Sequence, residues 1–336
     1  MKTLHAMVLF DTAGTPPENQ DFSAELKTEE WRTEADVIAA LQRLNHEVSA
    51  VGAYDDIAVI LRGLTQFKPD IVFNLMEHFH GNTRLDRDVA ALLELTEVPY
   101  TGSGPEGLLL CRDKGVSKQL LMAHHIHTPH FVIARRKKPF HEYSHLKFPL
   151  LVKPVAEDAS VGIAQASFVD SESALVERIA FVHDSLDHDA LVEEYVDGRE
   201  IYVSLVGNQK LEIFPPREIV FEKVPAGEPR LATYAAKWDA AYRERWGIRN
   251  VFANGFSEGV KETLEKVCKK VYALLQIRGY GRIDLRLTPE NEVVVLEANP
   301  NPHLAKGEDF AESARKGGFT YDALIQKIVN LGLRRE

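Results

Sequence analysis

A chain of 336 residues is too long for one ordinary core, so two or three domains are expected. Apolar residues make up 45% and charged residues 27%, the proportions of a soluble globular protein. A formal net charge of −10 argues against nucleic acid or an anionic membrane as a partner, since both select basic surface; it leaves room for a nucleotide, which needs only a few placed lysines.

Cys111 and Cys268 are far apart and in no metal-like spacing, so they read as buried, inert thiols in a reducing, cytoplasmic compartment. The first apolar run is too short for a signal peptide and reads as a strand, and no run approaches a membrane span.

In chain order, residues 4–10 form a buried-type strand, and residues 29–44 an amphipathic helix with Val37, Ile38, Leu41 and Leu44 on one face. A strand at 47–51, a helix at 57–67, a strand at 70–75, a helix at 85–95 and an extended stretch at 98–101 follow. That alternation predicts a Rossmann-like α/β domain with a parallel sheet over residues 1–102. Its first connection, residues 11–27, is long and polar, as in functional or mobile loops. The texture then changes. A turn cluster, GSGPEG, precedes a helix over 108–122 that holds Asp113 and Lys114. Extended runs at 131–134, 150–154, 161–168 and 190–196 surround a helix at 171–183, which predicts a small antiparallel α+β unit over 103–193. The basic run 135–138 reads as a solvated loop. Residues 194–336 hold strands at 200–206 and 211–221, the latter interrupted by Pro215 and Pro216, and an irregular stretch over 225–254. Helices at 260–275, 309–315 and 321–331 complete this third unit.

Within it, the stretch GRIDLRLTPENEVVVLEANPN reads as two apolar strands, 283–287 and 293–296, joined by a polar turn. Such a hairpin brings Asp284 and Glu297 to neighbouring positions. Asn299, placed just past the second strand, points to the same side, and so does Arg282. Two carboxylates and an amide oxygen make a hard oxygen set of the kind magnesium takes. Solvated hairpin acids are the commoner case, but an E-x-N pair beside an R-x-D pair favours the metal.

A second stretch, FPLLVKPVAEDASVGI, ends a strand on Lys153 and continues into a short loop carrying Ser160, suited to covering phosphates. Together with VEEYVDGRE, GRIDL and LEANPNP, and with FNLMEH, PYTGS and RDK earlier, the chain is identified as a member of the ATP-grasp superfamily. It resembles the D-alanine–D-alanine ligase-like group from about Phe73 onward.

That resemblance implies an ATP-grasp fold behind a pre-ATP-grasp domain, and an ATP-dependent, ADP-forming carboxylate–amine ligase that makes an amide through an acyl phosphate. It implies two Mg²⁺ ions, for which Mn²⁺ can substitute, held by Asp284, Glu297 and Asn299. Lys114 and Lys153 match lysines on the phosphates and the adenine side. Glu193, Glu194, Tyr195 and Val196 match the adenine-reading linker, and Glu200 a carboxylate on the ribose. Lys237 matches a γ-phosphate lysine on a mobile lid over 225–247, Arg282 the arginine on the oxyanion, and Ser160 the serine of the phosphate loop. The partners implied are a small-molecule acid and amine, and homodimers are usual among similar ligases.

The substrate residues depart from the group. The first loop, DTAGTPPENQDF, lacks a matching Ser- and Glu-bearing turn. Ala159 replaces a serine and Asp158 a glycine. Trp238 follows the lid lysine in place of tyrosine, and Asn301, His303 and Glu308 occupy the terminal turn. With the ATP residues spared, these changes predict an active ligase whose substrates are not two D-alanines. Glu77 is a substrate candidate at the end of a strand, preferred over a metal site at His78 and His80, which lack a third ligand. A D-alanine–D-alanine ligase and a non-catalytic nucleotide-binding regulator are the rival expectations. A dinucleotide oxidoreductase is disfavoured, because no G-x-G-x-x-G follows the first strand.

Overall fold

The computed structural model describes all residues except 1, 19, 141–142, 158–159, 226–227 and 335–336. Among the described residues the chain forms three sheets. The first is parallel, in the order β2 (Glu47–Ala53), β1 (His5–Asp11), β3 (Ile71–Asn74), with Tyr100 adding a bridge to Val72. On one face Met7, Leu9 and Val72 pack with Ile60 of α2 (Ile57–Phe67) and with Val89 and Leu93 of α3 (Asp86–Leu95). On the other, Val8 and Phe10 meet Val37 and Leu41 of α1 (Arg32–Arg43). Buried on both faces, β1 and β3 carry the continuous apolar runs expected of a parallel sheet, while the edge strand β2 is partly exposed over residues 47–50.

The predicted helix over 108–122 is two helices, α4 (Pro105–Arg112) and α5 (Lys114–Ala123). Asp113 breaks them: its backbone is extended (φ −83°, ψ 95°), and its Oδ1 accepts the Val116 N–H at 3.0 Å. An aspartate gains more as an N-cap than inside a helix, because its side chain satisfies an otherwise orphaned N–H. The second sheet, antiparallel, runs β4 (Phe131–Ala134), β7 (Ala190–Glu194), β5 (Leu150–Pro154), β6 (Phe168–Val169), and is backed by α6 (Glu172–Asp184). The expected extended run over 161–168 is instead a turn at Gly162 (φ +72°) and a short 3₁₀ stretch, Gln165–Ser167, ahead of β6.

The third sheet is six-stranded and antiparallel: β11 (Ile248–Phe252), β10 (Arg217–Phe221), β8 (Arg199–Val206), β12 (Tyr280–Leu287), β13 (Val293–Pro300), with β9 (Glu212–Ile213) on β8. Its apolar face is covered by α9 (Glu258–Leu274), through Leu264, Cys268 and Val271. Both cysteines are buried, and burial pushes the Cys268 thiol up. The stretch expected to be irregular, 225–254, holds α7 (Tyr234–Trp238), α8 (Ala240–Trp246) and β11. The signals were short but legible: Thr233 and Asp239 cap the two helices, and Gly247 ends the second at φ +60°. The hairpin strands also run longer than their apolar cores, so Glu297 and Asn299 lie inside β13 rather than past its end.

After α10 (Asp309–Lys316), the final helix, α11 (Tyr321–Gly332), leaves the third sheet and closes the open face of the first. Leu324, Ile325, Ile328 and Val329 are fully buried there. Arg43 pairs with Asp322 at 2.6 Å, and the His46 ring meets Gln326 at 2.9 Å. Leu324→Ala should therefore cost about 2–5 kcal/mol in chemical denaturation, the usual penalty for emptying a buried leucine site.

Candidate active site

Two adjacent strands set the floor. Across β12 and β13, Asp284 is aligned with Glu297, and Arg282 with Asn299. The register shifts immediately after, with Leu285 opposite Val295. This bulge frees Leu296 from the ladder, and Leu296 lines the cleft above the hairpin. Arg282 grips Asp284 bidentately, Nε to Oδ1 at 2.7 Å and Nη2 to Oδ2 at 2.8 Å, and its guanidinium carbon sits 4.9 Å over the Tyr202 ring. Burial opposes the Arg282 charge, but Asp284 outweighs it and raises the arginine further above its ordinary value. Burial raises Asp284, with Arg282 pulling against it and Glu297 adding to the rise. For Glu297 burial also works upward, yet Lys114, Lys237, Lys153 and Arg282 together hold it down to about 2.

Above the floor lies an open cleft between the second and third sheets. It is lined by Lys153, Ser160, Glu193, Glu194, Tyr195, Val196, Glu200, Lys237, Asp284 and Glu297, all of them singled out by sequence. Lys114 approaches from the side, 3.7 Å from Glu297, while its ammonium also donates to the Glu157 carbonyl. Asn299 and Arg282 reach the floor without lining the cleft itself.

Lys118 and Thr128 belong to this centre and escaped the sequence. Glu193 is clamped between Lys153 (2.6 Å to Oε1) and Lys118 (2.9 Å to Oε2), all three buried. Lys118 also donates to the Thr128 hydroxyl at 2.9 Å, which donates on to the Val295 carbonyl at 2.8 Å. Burial pushes Glu193 up, but the two lysines overcome it and leave it below its ordinary value. Lys118 stands four residues after Lys114 on α5, hence on the same helix face, and that spacing was the available signal.

Residues 228–247 cover the cleft and are tied down at separated points. The Ser160 hydroxyl donates to the Ala232 carbonyl at 2.7 Å, the Tyr234 N–H to the Ile163 carbonyl at 3.0 Å, and the Gln165 amide to the Tyr242 hydroxyl at 3.0 Å. Ser160 itself has φ +63°, a strained backbone for a side-chain-bearing residue. Asp158 and Ala159 lie outside the described residues.

A smaller, shallow hollow opens where the first sheet meets the terminal turn, lined by Asn74, Glu77, Tyr280, Asn301 and His303 among others. His303 lies 3.5 Å from Glu77, and its ring centroid is 6.2 Å from that of half-exposed Trp238. Asn301 braces the PYTGS turn: its Oδ1 accepts the Ser103 N–H at 2.8 Å. Its side chain lies so close to Gly102 (φ +87°) that a Cβ there would sit 2.4 Å from the amide oxygen. Glu308 starts α10 and lines neither cavity. His78 pairs with Asp11 at 3.2 Å while His80 stacks on Tyr54, so the two imidazoles have different neighbours. Asp11 and Glu34 are further sequence misses. Asp11 ends β1 and accepts the Glu77 N–H at 2.8 Å. Glu34 is pushed up to about 7 by burial, with Glu77 and Asp11 adding repulsion. Among the described residues no group of three or more His, Cys, Asp or Glu side chains is arranged to hold a metal.

Lys118→Met should destabilise the protein by about 3 kcal/mol in urea melts, because it strips a partner from a buried carboxylate. Glu34 favours its protonated form in the folded state, with its value raised from 4.5 to about 7. Its contribution is whole below the unfolded value and fades as pH rises through about 7, on the order of 3 kcal/mol across that window. Glu34→Gln should flatten this part of a stability-against-pH profile measured from pH 4 to 8.

The model of the family described as D-ala D-ala ligase C-terminus matches residues 120–330. An uncharacterized protein of Sinorhizobium fredii is 34% identical over 307 residues, 89% of this chain and 87% of the relative. The D-alanine–D-alanine ligase of Carboxydothermus hydrogenoformans is 29% identical over 310 residues, 90% of this chain and 93% of the relative. The crystal structure of D-alanine–D-alanine ligase from Bacillus anthracis complexed with ATP superposes with a TM-score of 0.76 at 21% identity, covering 99% of this chain and 98% of that one, so the fold is shared. The chain belongs to the D-alanine–D-alanine ligase-like group of the ATP-grasp superfamily.

Proposed function

We propose that this protein is an ATP-dependent ligase that joins a carboxylate to an amine through an acyl phosphate, acting on amino acids or small peptides other than two D-alanines. The carrying observation is the convergence of Lys114, Lys153, Lys237 and Arg282 on the paired carboxylates Asp284 and Glu297 at the floor of a cleft that a nucleotide triphosphate would fill. ATP and Mg²⁺ come to the chain through its family and through the nucleotide named in the related structure.

The donor set suits the metal. Asp284, Glu297 and the Asn299 amide are hard ligands on one face. Among the described residues the buried Asn299 amide nitrogen has no hydrogen-bond partner; as a donor it suits a phosphate oxygen, leaving the amide oxygen for the cation. Asp284 keeps lone pairs free beyond its two bonds from Arg282. Magnesium there would neutralise phosphate charge. Lys153 and Lys237 then supply the fixed positive charge that phosphoryl transfer needs, with little covalent help from the protein. Ser160 belongs to the phosphate loop, and Glu193, Glu194, Tyr195, Val196 and Glu200 to the adenosine side. Arg282, held rigid by Asp284, is the donor for the oxyanion formed when the amine attacks. Residues 228–247 keep water from the acyl phosphate.

Glu77 and His303 mark the hollow where the substrate acid or amine would sit, with Trp238 and Asn301 at its edge; Glu308 lies further off. The domains we propose are 1–102, 103–193 and 194–336, with α11 also serving the first layer. A dimer and a cytoplasmic location complete the proposal. The names of several relatives favour a second reading, a D-alanine–D-alanine ligase with an unusual pocket. Incubation with ATP and an amino-acid panel separates them: turnover with D-alanine alone supports the second reading, and a mixed product mass the first. No ADP with any acceptor, despite nucleotide binding, would leave a non-catalytic regulator. Asp284→Asn and Glu297→Gln should each lower ADP formation by about a hundredfold or more while the protein remains folded; near-normal rates would contradict the metal role.

A further inference from the structure

The R-x-D pattern of β12 runs one step further than the sequence reading took it. Arg286 stands two residues past Asp284, on the same face, and lines the same cleft. Its side chain is buried, 4% exposed, and touches three separate segments. Nη1 donates to the Gly198 carbonyl at 3.1 Å, in the turn between β7 and β8. Nη2 donates both to Oε2 of Glu200 at 2.7 Å and to the carbonyl of Arg230 at 2.7 Å. Arg230 belongs to the covering segment, a few residues before the helix that carries Lys237. One nitrogen with two hydrogens therefore gives one to the carboxylate and one to the cover.

Glu200 accepts a second bond, on Oε1, from the Tyr202 hydroxyl at 3.0 Å. Each carboxylate oxygen has two lone pairs, so both can still accept from a vicinal diol. A buried carboxylate stays charged only if paired, and a guanidinium fork fixes its plane as well as its charge. Turning that plane would swing the shared nitrogen and its second N–H away from Arg230.

We propose that Arg286 is the positioning residue that couples the sugar hydroxyls of the bound nucleotide to closure of residues 228–247. It holds Glu200 ready for the diol and, in that orientation, fastens the Arg230 carbonyl. The proposal rests on the ATP reading above. Because such coupling is reciprocal, a nucleotide without the hydroxyls closes the segment less well.

The test compares Mg²⁺ with ATP and Mg²⁺ with 2′,3′-dideoxy-ATP on the full-length protein, without other substrates. Affinity is read by calorimetry, and closure by the rate of tryptic cleavage after Arg230, Lys237, Arg243 and Arg245. At saturation, ATP should slow cleavage several-fold more than the dideoxy nucleotide, and should bind about tenfold more tightly, a difference of about 1.4 kcal/mol. In Arg286→Met both differences should vanish. Arg286→Lys keeps the charge beside Glu200 but lacks the fork, so it should recover the affinity preference and not the protection. Equal protection of the wild-type protein by both nucleotides would overturn the coupling, as would a full ATP preference in Arg286→Met. If Arg286→Met fails to fold, the wild-type comparison and Arg286→Lys still decide. Wild-type protein that binds neither nucleotide would overturn the ATP reading and this inference together; binding of both without distinction overturns the inference alone.

Discussion

Asp284 and Glu297 face each other across one hairpin, Asp284 buried and Glu297 partly so, where two like charges repel strongly. Much of the site answers that problem. Arg282 takes Asp284 with two short bonds, and Lys114, Lys153 and Lys237 draw Glu297 toward its charged form. The cations arrive from distant parts of the chain: α5, β5, α7 and β12. The second and third sheets must therefore be docked before the carboxylates are balanced, so the chemistry of the cleft and the packing of the domains depend on each other.

The hairpin was legible because strand alternation is simple. Residues 282, 284, 297 and 299 fall on one face by parity alone, and their spacing fixed them before any coordinates. The three-layer order was legible for a similar reason: parallel buried runs, then alternating antiparallel ones. What escaped depended on partners far away in sequence. Lys118 looks like an ordinary helix lysine until Glu193, brought by β7, is set against it. Asp11, Glu34 and Glu77 share one corner only because β1, α1 and the end of β3 converge there. The broken helix at Asp113 and the small helices at 234–238 and 240–246 were missed because apolar periodicity was weighed above single capping residues, which here prevailed.

The two cavities differ in kind. The cleft is ringed by cations that offset carboxylates, suited to a highly charged anion. The hollow near Glu77 is weighted the other way, with Asp11, Glu34 and Glu77 against His78 and His303. Trp238 stands between them, on the helix turn beside Lys237 and near His303. Movement of that helix would alter both spaces at once, which is a physical route for acceptor choice to be felt at the phosphates.

The last helix, α11, completes the layer begun by the first strand. The first sheet and α1 come early in the sequence, yet the cluster they form is completed by Ile325 and Ile328 of α11, some three hundred residues later. The N-terminal layer thus owes part of its cover to the far end of the sequence. That layer is complete only once α11 has folded back onto it, and loss of α11 would leave the side of the first sheet nearest β3 exposed and adhesive.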